Sequence, residues 1–171
     1  MKFLRQNLTT ALFLAAFIFI PQVSSAYLTT SQTATRLNDT TILYTVSYSL
    51  GSGVYDMRAP IGATESSAEL SAYVEYVFLD DGVEYTEGES AALVLSAASI
   101  TDAEYIIDRG DGYIFTLVSL LTVPADSSDL DLSLQVTSLP FTLISPADNT
   151  ENPNRLNDSE LQYYVTPAVK I

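Results

Sequence analysis

Ile42-Leu43-Tyr44-Thr45-Val46-Ser47-Tyr48 sets large side chains at every second position, with Leu43, Thr45 and Ser47 between them. A period of two puts Ile42, Tyr44, Val46 and Tyr48 on one face of a strand and the other three on the opposite face. β-Branched and aromatic side chains suit such a pleated surface. Outward from this run, Leu70 to Leu79 alternates Tyr73, Glu75 and Val77 with Val74, Tyr76 and Phe78. Further strands are expected at Ala91 to Leu95, Tyr113 to Val123, Leu130 to Ile144 and Leu161 to Val165.

Turn residues separate these runs: Gly51-Ser52-Gly53, Asp80-Asp81-Gly82, Glu87-Gly88-Glu89, Asp108 to Gly112, and Pro124 to Asp129. Asp80-Asp81-Gly82 reads as a tight hairpin between Val77-Phe78-Leu79 and Val83-Glu84-Tyr85, because Asp-Gly accepts the positive φ of such turns. Pro140 implies a bulge or an edge strand inside the Leu130 to Ile144 run. Helix signals are weak after residue 26. The best candidate is Ala63 to Ala72, which also reads as the start of a strand.

This spacing predicts an all-β chain, an antiparallel β-sandwich of roughly seven to nine strands. In architecture it resembles immunoglobulin-like and fibronectin-like sandwiches, without the immunoglobulin hallmark of two cysteines around a tryptophan, since the chain has neither residue.

Lys2 and Arg5, the apolar stretch from Ala11 to Ile20, Pro21, and the small residues Ser24, Ser25 and Ala26 have the three-part form of a secretory signal peptide. An apolar stretch this short falls well below the ~20 residues of a spanning helix, so cleavage after Ala26 is expected. Residues 27–171 then form a single domain, long enough to bury roughly 70% of the surface of its unfolded chain. No second membrane segment is expected, and the destination is the medium or the cell surface.

The whole chain carries a net charge of −14, from 7 basic and 21 acidic residues. Cleavage would remove Lys2 and Arg5 and no acid. Such a field repels nucleic acid and anionic membrane surfaces. The acids are scattered among large apolar residues, the pattern of a folded acidic surface rather than a disordered tail.

With no His, no Cys and no Trp, the chain lacks the residues for histidine-based triads, thiol nucleophiles and histidine-ligated metals. Ser-Lys chemistry has only Lys170 to draw on after residue 26. Paired carboxylates remain available for glycoside hydrolysis, but nothing in the sequence forms the cleft that would hold one of them protonated. Calcium is the cofactor such a chain would suit, since it takes hard oxygen ligands. Its candidate ligands are Asp108 and Asp111 in one loop and Asp126 and Asp129, near Asp131, in another. The alternative for both loops is acidic turn residues facing solvent.

Three further motifs have structural readings beside their functional ones. Arg109-Gly110-Asp111 spells the tripeptide read by integrins, yet a glycine-rich turn explains it. Asn38-Asp39-Thr40 and Asn157-Asp158-Ser159 match the N-glycosylation acceptor and also build side-chain-to-backbone turns. They sit in an internal echo, Arg36-Leu37-Asn38-Asp39-Thr40 and Arg155-Leu156-Asn157-Asp158-Ser159, each expected to start a strand. Arg36 and Arg155 would clamp an anion only if both reached one site. The many tyrosines suit strands as well as glycan-stacking surfaces.

The sequence therefore points to an exported, non-catalytic structural, adhesive or interaction module with a protein or glycan partner. The alternatives are a calcium-stabilised or carbohydrate-binding module and, third, a carboxylate-based hydrolase. Ser145 to Asn157 reads as a flexible lead to a terminal strand, Leu161 to Val165, that closes its own sheet or pairs with a neighbour's edge.

Overall fold

The computed structural model describes residues 29–171 except Leu70. The expected signal segment, residues 1–26, and its cleavage point lie outside the described residues. In chain order the strands are β1 (Thr29–Arg36), β2 (Thr41–Gly51), β3 (Asp56–Pro60), β4 (Ala63–Glu65), β5 (Val74–Asp80), β6 (Val83–Tyr85) and β7 (Glu89–Ser96). They continue as β8 (Ser99–Thr101), β9 (Glu104–Ile107), β10 (Gly112–Thr122), β11 (Asp131–Ile144), β12 (Glu151–Leu156), one helical turn α1 (Asp158–Leu161), and β13 (Val169–Lys170). The chain is all-β as expected, with more strand segments than the turn spacing implied, because β4, β6, β8 and β13 are only two or three residues long.

Two sheets enclose one core. The first runs β1-β2-β10-β7, antiparallel throughout. The second runs β4-β5-β11-β3-β9-β8, with β12 and β13 also on β11 and β6 on β5. The alternation that opened the sequence becomes burial here: Ile42, Tyr44, Val46, Tyr48 and Leu50 all point inward from β2. Full burial of such a side chain contributes about 1.5–3 kcal/mol. Tyr44 meets the Phe78 ring at 5.5 Å, and its hydroxyl donates to the Leu132 carbonyl at 3.2 Å, joining the two sheets. Tyr48 stacks on Phe115, which meets Tyr105 edge-on.

The Asp80-Asp81-Gly82 hairpin forms as read, with Asp81 at φ 48° and Gly82 at φ 83° between β5 and β6. β11 departs from expectation. Its register shift lies between Val136 and Ser138, so the extra residue is Thr137 and not Pro140. Pro140 sits in continuous register opposite Arg155, and pairing with β3 on the other edge begins only at Thr142, so no partner there needs its missing N–H.

The carboxyl-terminal readings are also corrected. Part of the expected flexible lead is β12, and Leu161 to Val165 is the end of a helical turn followed by a single bridge, Gln135 to Val165. Both Asn38 and Asn157 accept hydrogen bonds from the N–H and hydroxyl two residues ahead. What separates the two echoes is the next residue. Glu160 reaches back to the Asn157 N–H and completes a capping box, whereas Thr41 at the matching place begins β2. Leu161 and Tyr164 are buried, and Val136 and Thr166 exchange backbone bonds with Tyr164 and Leu134, so this segment packs on its own β11.

Residues 71–73, read as part of a strand, precede β5 in a loop. Glu75 holds that loop from inside the protein: it is fully buried, and its two carboxylate oxygens accept from the Glu69 and Ser71 N–H groups, each at 2.7 Å. Arg155 donates to the Ser71 carbonyl at 2.7 Å, and the Thr137 hydroxyl donates to that of Ser66.

Candidate interaction surface

Every second residue of the first sheet faces away from the core, and these residues carry almost no charge. β7 presents Ala91, Leu93 and Leu95, and β10 presents Ile114, Thr116, Val118 and Leu120. β2 adds Leu43, Thr45, Ser47 and Ser49, and β1 adds Ser31, Thr33 and Thr35. Register lines them up in rows, with Leu93, Val118, Thr45 and Thr33 side by side across the sheet. Glu89, at one end of β7, is the single ionisable side chain on this face among the described residues.

The face divides into two halves. On the β7–β10 side, Leu93, Leu95, Ile114 and Leu120 are 47%, 53%, 57% and 38% exposed, so nothing among the described residues covers them. On the β1–β2 side, Thr33 and Thr45 share a hydrogen bond at 2.7 Å, and Ser47 shares one with Thr116 at 2.9 Å. Hydroxyls already bonded to each other lose less when a partner removes water. The centre of the face is therefore cheap to desolvate.

The outer face of the second sheet is the opposite. Asp56, Arg58, Asp102, Glu104, Asp108 and Glu151 surround one shallow depression there. Arg58 pairs with Glu151 at 3.0 Å and with Glu104 at 3.8 Å. An adjoining cavity of about 430 Å³ is lined by Arg58, Arg155, Glu104 and the rings of Pro60, Pro140 and Pro153. Arg58 is bound to two carboxylates, whereas Arg155 donates to the Ser71 carbonyl, has no acidic partner among the described residues and keeps Nη1 buried without a partner.

The candidate calcium ligands fall in two separate places. Asp108 and Asp111 lie in the turn before β10, and Asp126 and Asp129 lie beyond its other end. The eleven residues of β10 between them span roughly 35 Å, so the four carboxylates do not share a site. Near the first pair the backbone carbonyls are engaged: Ser52 bonds the carbonyls of Asp108 and Asp111 through its hydroxyl and N–H. Among the described residues, no three acidic side chains gather as a metal cluster. Arg109-Gly110-Asp111 is an exposed turn with Gly110 at φ 85°, and the Arg109 N–H donates to Asp56. Arg36 does not join Arg155. It pairs with Asp39 and donates to the Lys170 carbonyl, at the edge of the first sheet.

Sequence reasoning missed the outer face because β7 and β10 are apolar on both sides, which hides the inward set among the outward one. The signal that was present is the lack of charge: from Ser90 to Ile100, and again from Tyr113 to Val123, no Asp, Glu, Lys or Arg occurs in a chain rich in both Asp and Glu. No helix among the described residues is long and apolar enough to cross a membrane. No protein-family model matches the chain, and no curated protein matches it either.

Proposed function

We propose that this chain is an exported, non-catalytic interaction module, an immunoglobulin-like β-sandwich that makes its contacts through the outer face of the β1-β2-β10-β7 sheet. The observation that carries this reading is an uncharged, partly apolar face on a chain of net charge −14. Maintaining such a face uncovered in water has no structural benefit, whereas exposed contiguous apolar surface is characteristic of contact sites. Strand order supports the immunoglobulin-like part. In that fold the sheets are A-B-E-D and C-F-G. Here β1-β2-β10-β7 takes the order of the first, and β3-β11-β12 that of the second, with β4, β5, β6, β8, β9 and β13 as additions. The signal-like residues 1–26 support export.

The test is the size at which the protein runs in the unfractionated material of an exporting host. Wild-type protein is expected to run larger than a single chain. Replacing two outward residues, Leu93→Glu with Leu120→Glu, is expected to return it to single-chain size without changing the melting temperature. Equal sizes for the two proteins would overturn the reading.

A further inference from the structure

We infer that the outer face of the β1-β2-β10-β7 sheet is covered by a second copy of this chain, packed sheet to sheet about a two-fold axis. This rests on the reading of that face as the contact surface and names its occupant.

Charge chooses among occupants. A basic partner would be drawn to the carboxylates of the second sheet rather than to a face that has only Glu89 at one end, and an anionic surface would be repelled by the whole chain. Another copy of the same acidic chain meets the least repulsion where each presents a single terminal charge, and a two-fold contact places this face on itself.

The edges of the first sheet are less open than its face. Gln32 and Arg36 of β1 donate to the Tyr163 and Lys170 carbonyls of the chain's own terminus. At the other edge, the Val94 N–H of β7 donates to Ile61, and Gly62 bridges Leu93. Face-to-face packing is thus favoured over strand addition.

The area is sufficient. Four strands about 4.8 Å apart, the longest of eleven residues rising ~3.3 Å each, give a face of roughly 550 Å². Two copies would bury about 1,100 Å², just above the ~1,000 Å² that a specific interface needs. An axis through Val118, central in β10, lays the Leu93, Leu95, Ile114 and Leu120 cluster of one copy over that of the other. The paired hydroxyls of Thr33, Thr45, Ser47 and Thr116 flank it, already satisfied. An interface of this modest size implies a reversible dimer.

Light scattering on a sizing column, with the purified protein over a range of concentrations, tests this. The expected mass rises from one chain to two and stops there, and added salt promotes the change by screening the acidic surfaces. Leu93→Glu with Leu120→Glu, and separately Ile114→Lys, are each expected to weaken dimerisation at least a hundredfold while keeping the wild-type melting curve. Thr101→Glu, on the exposed β8 of the other sheet, is expected to leave it unchanged. A single-chain mass at every concentration, growth beyond two chains, or face variants that dimerise as wild type would each overturn the inference. A protein that is a single chain when purified but runs larger through this face in the host's unfractionated material would reject the second copy and keep the contact surface; a single chain in both settings would reject both.

Discussion

Glu75→Leu is expected to destabilise the protein by about 3 kcal/mol and lower its melting temperature by roughly 10 °C. The carboxylate lies fully inside, and its two oxygens are the acceptors for the Glu69 and Ser71 N–H groups. Hydrogen bonds to a charged group contribute about 1.5–3 kcal/mol each, and both are lost together. Leucine fills the space but accepts nothing, so the loop must release its backbone to water. Glutamine is the sharper probe. Its single oxygen can serve one N–H while its amide nitrogen faces the other, so Glu75→Gln is expected to cost about half as much. Chemical denaturation of both variants, read by circular dichroism, checks the order. Two variants with wild-type midpoints would mean that Glu75 does not hold the loop.

Alkaline pH is expected to unfold the protein through its core tyrosines. Burial pushes the hydroxyls of Tyr44 and Tyr48 well above the usual tyrosine range, with Tyr105 and Tyr164 adding to the effect at Tyr48. In the unfolded chain both ionise near pH ~10. Below that pH neither state has lost a proton, and the contribution to stability is fully present. Above it the unfolded chain loses protons that the folded chain keeps, so stability falls as pH rises. Each group contributes about 1.4 kcal/mol per pH unit, and the two together about 2.7. Urea midpoints at neutral pH and at two values above pH ~10 measure the slope. Tyr44→Phe gives up the bond to Leu132 but removes one titrating group, so its stability should fall less steeply with pH, by about 1.4 kcal/mol per pH unit. Constant stability well above the ordinary tyrosine range would contradict this account of the core.

The sequence was most legible where one strand face is wet and the other dry. β2 shows its inward set directly, and the Asp81-Gly82 hairpin follows from turn chemistry alone. β5 was harder, because Val74 to Phe78 is buried on both faces and alternation then carries no information. β12, Glu151-Asn152-Pro153-Asn154-Arg155-Leu156, has no strand pattern at all. It is a strand because β11 offers it an edge, and Pro153 is tolerated on such an edge. Leu161 to Val165 does alternate, but the capping box at Asn157 and Glu160 turns its start into a helix. At the candidate surface, Leu43, Thr45 and Ser47 could be assigned to one face of β2 from the start. That this face was the outer one, continuous with Leu93, Leu95, Ile114 and Leu120, required the register of four strands.

The chain contains no cysteine, so a single introduced thiol reports its own neighbours. Val118→Cys places one at the centre of the uncharged face, and Thr101→Cys places one on the outer sheet edge at β8. Under mild oxidation at a concentration where the protein is dimeric, Val118→Cys is expected to give a covalent dimer on a non-reducing gel, and Thr101→Cys to remain a single chain. Cross-linking at Thr101 with none at Val118 would place the contact elsewhere and contradict the assignment of the β1-β2-β10-β7 face.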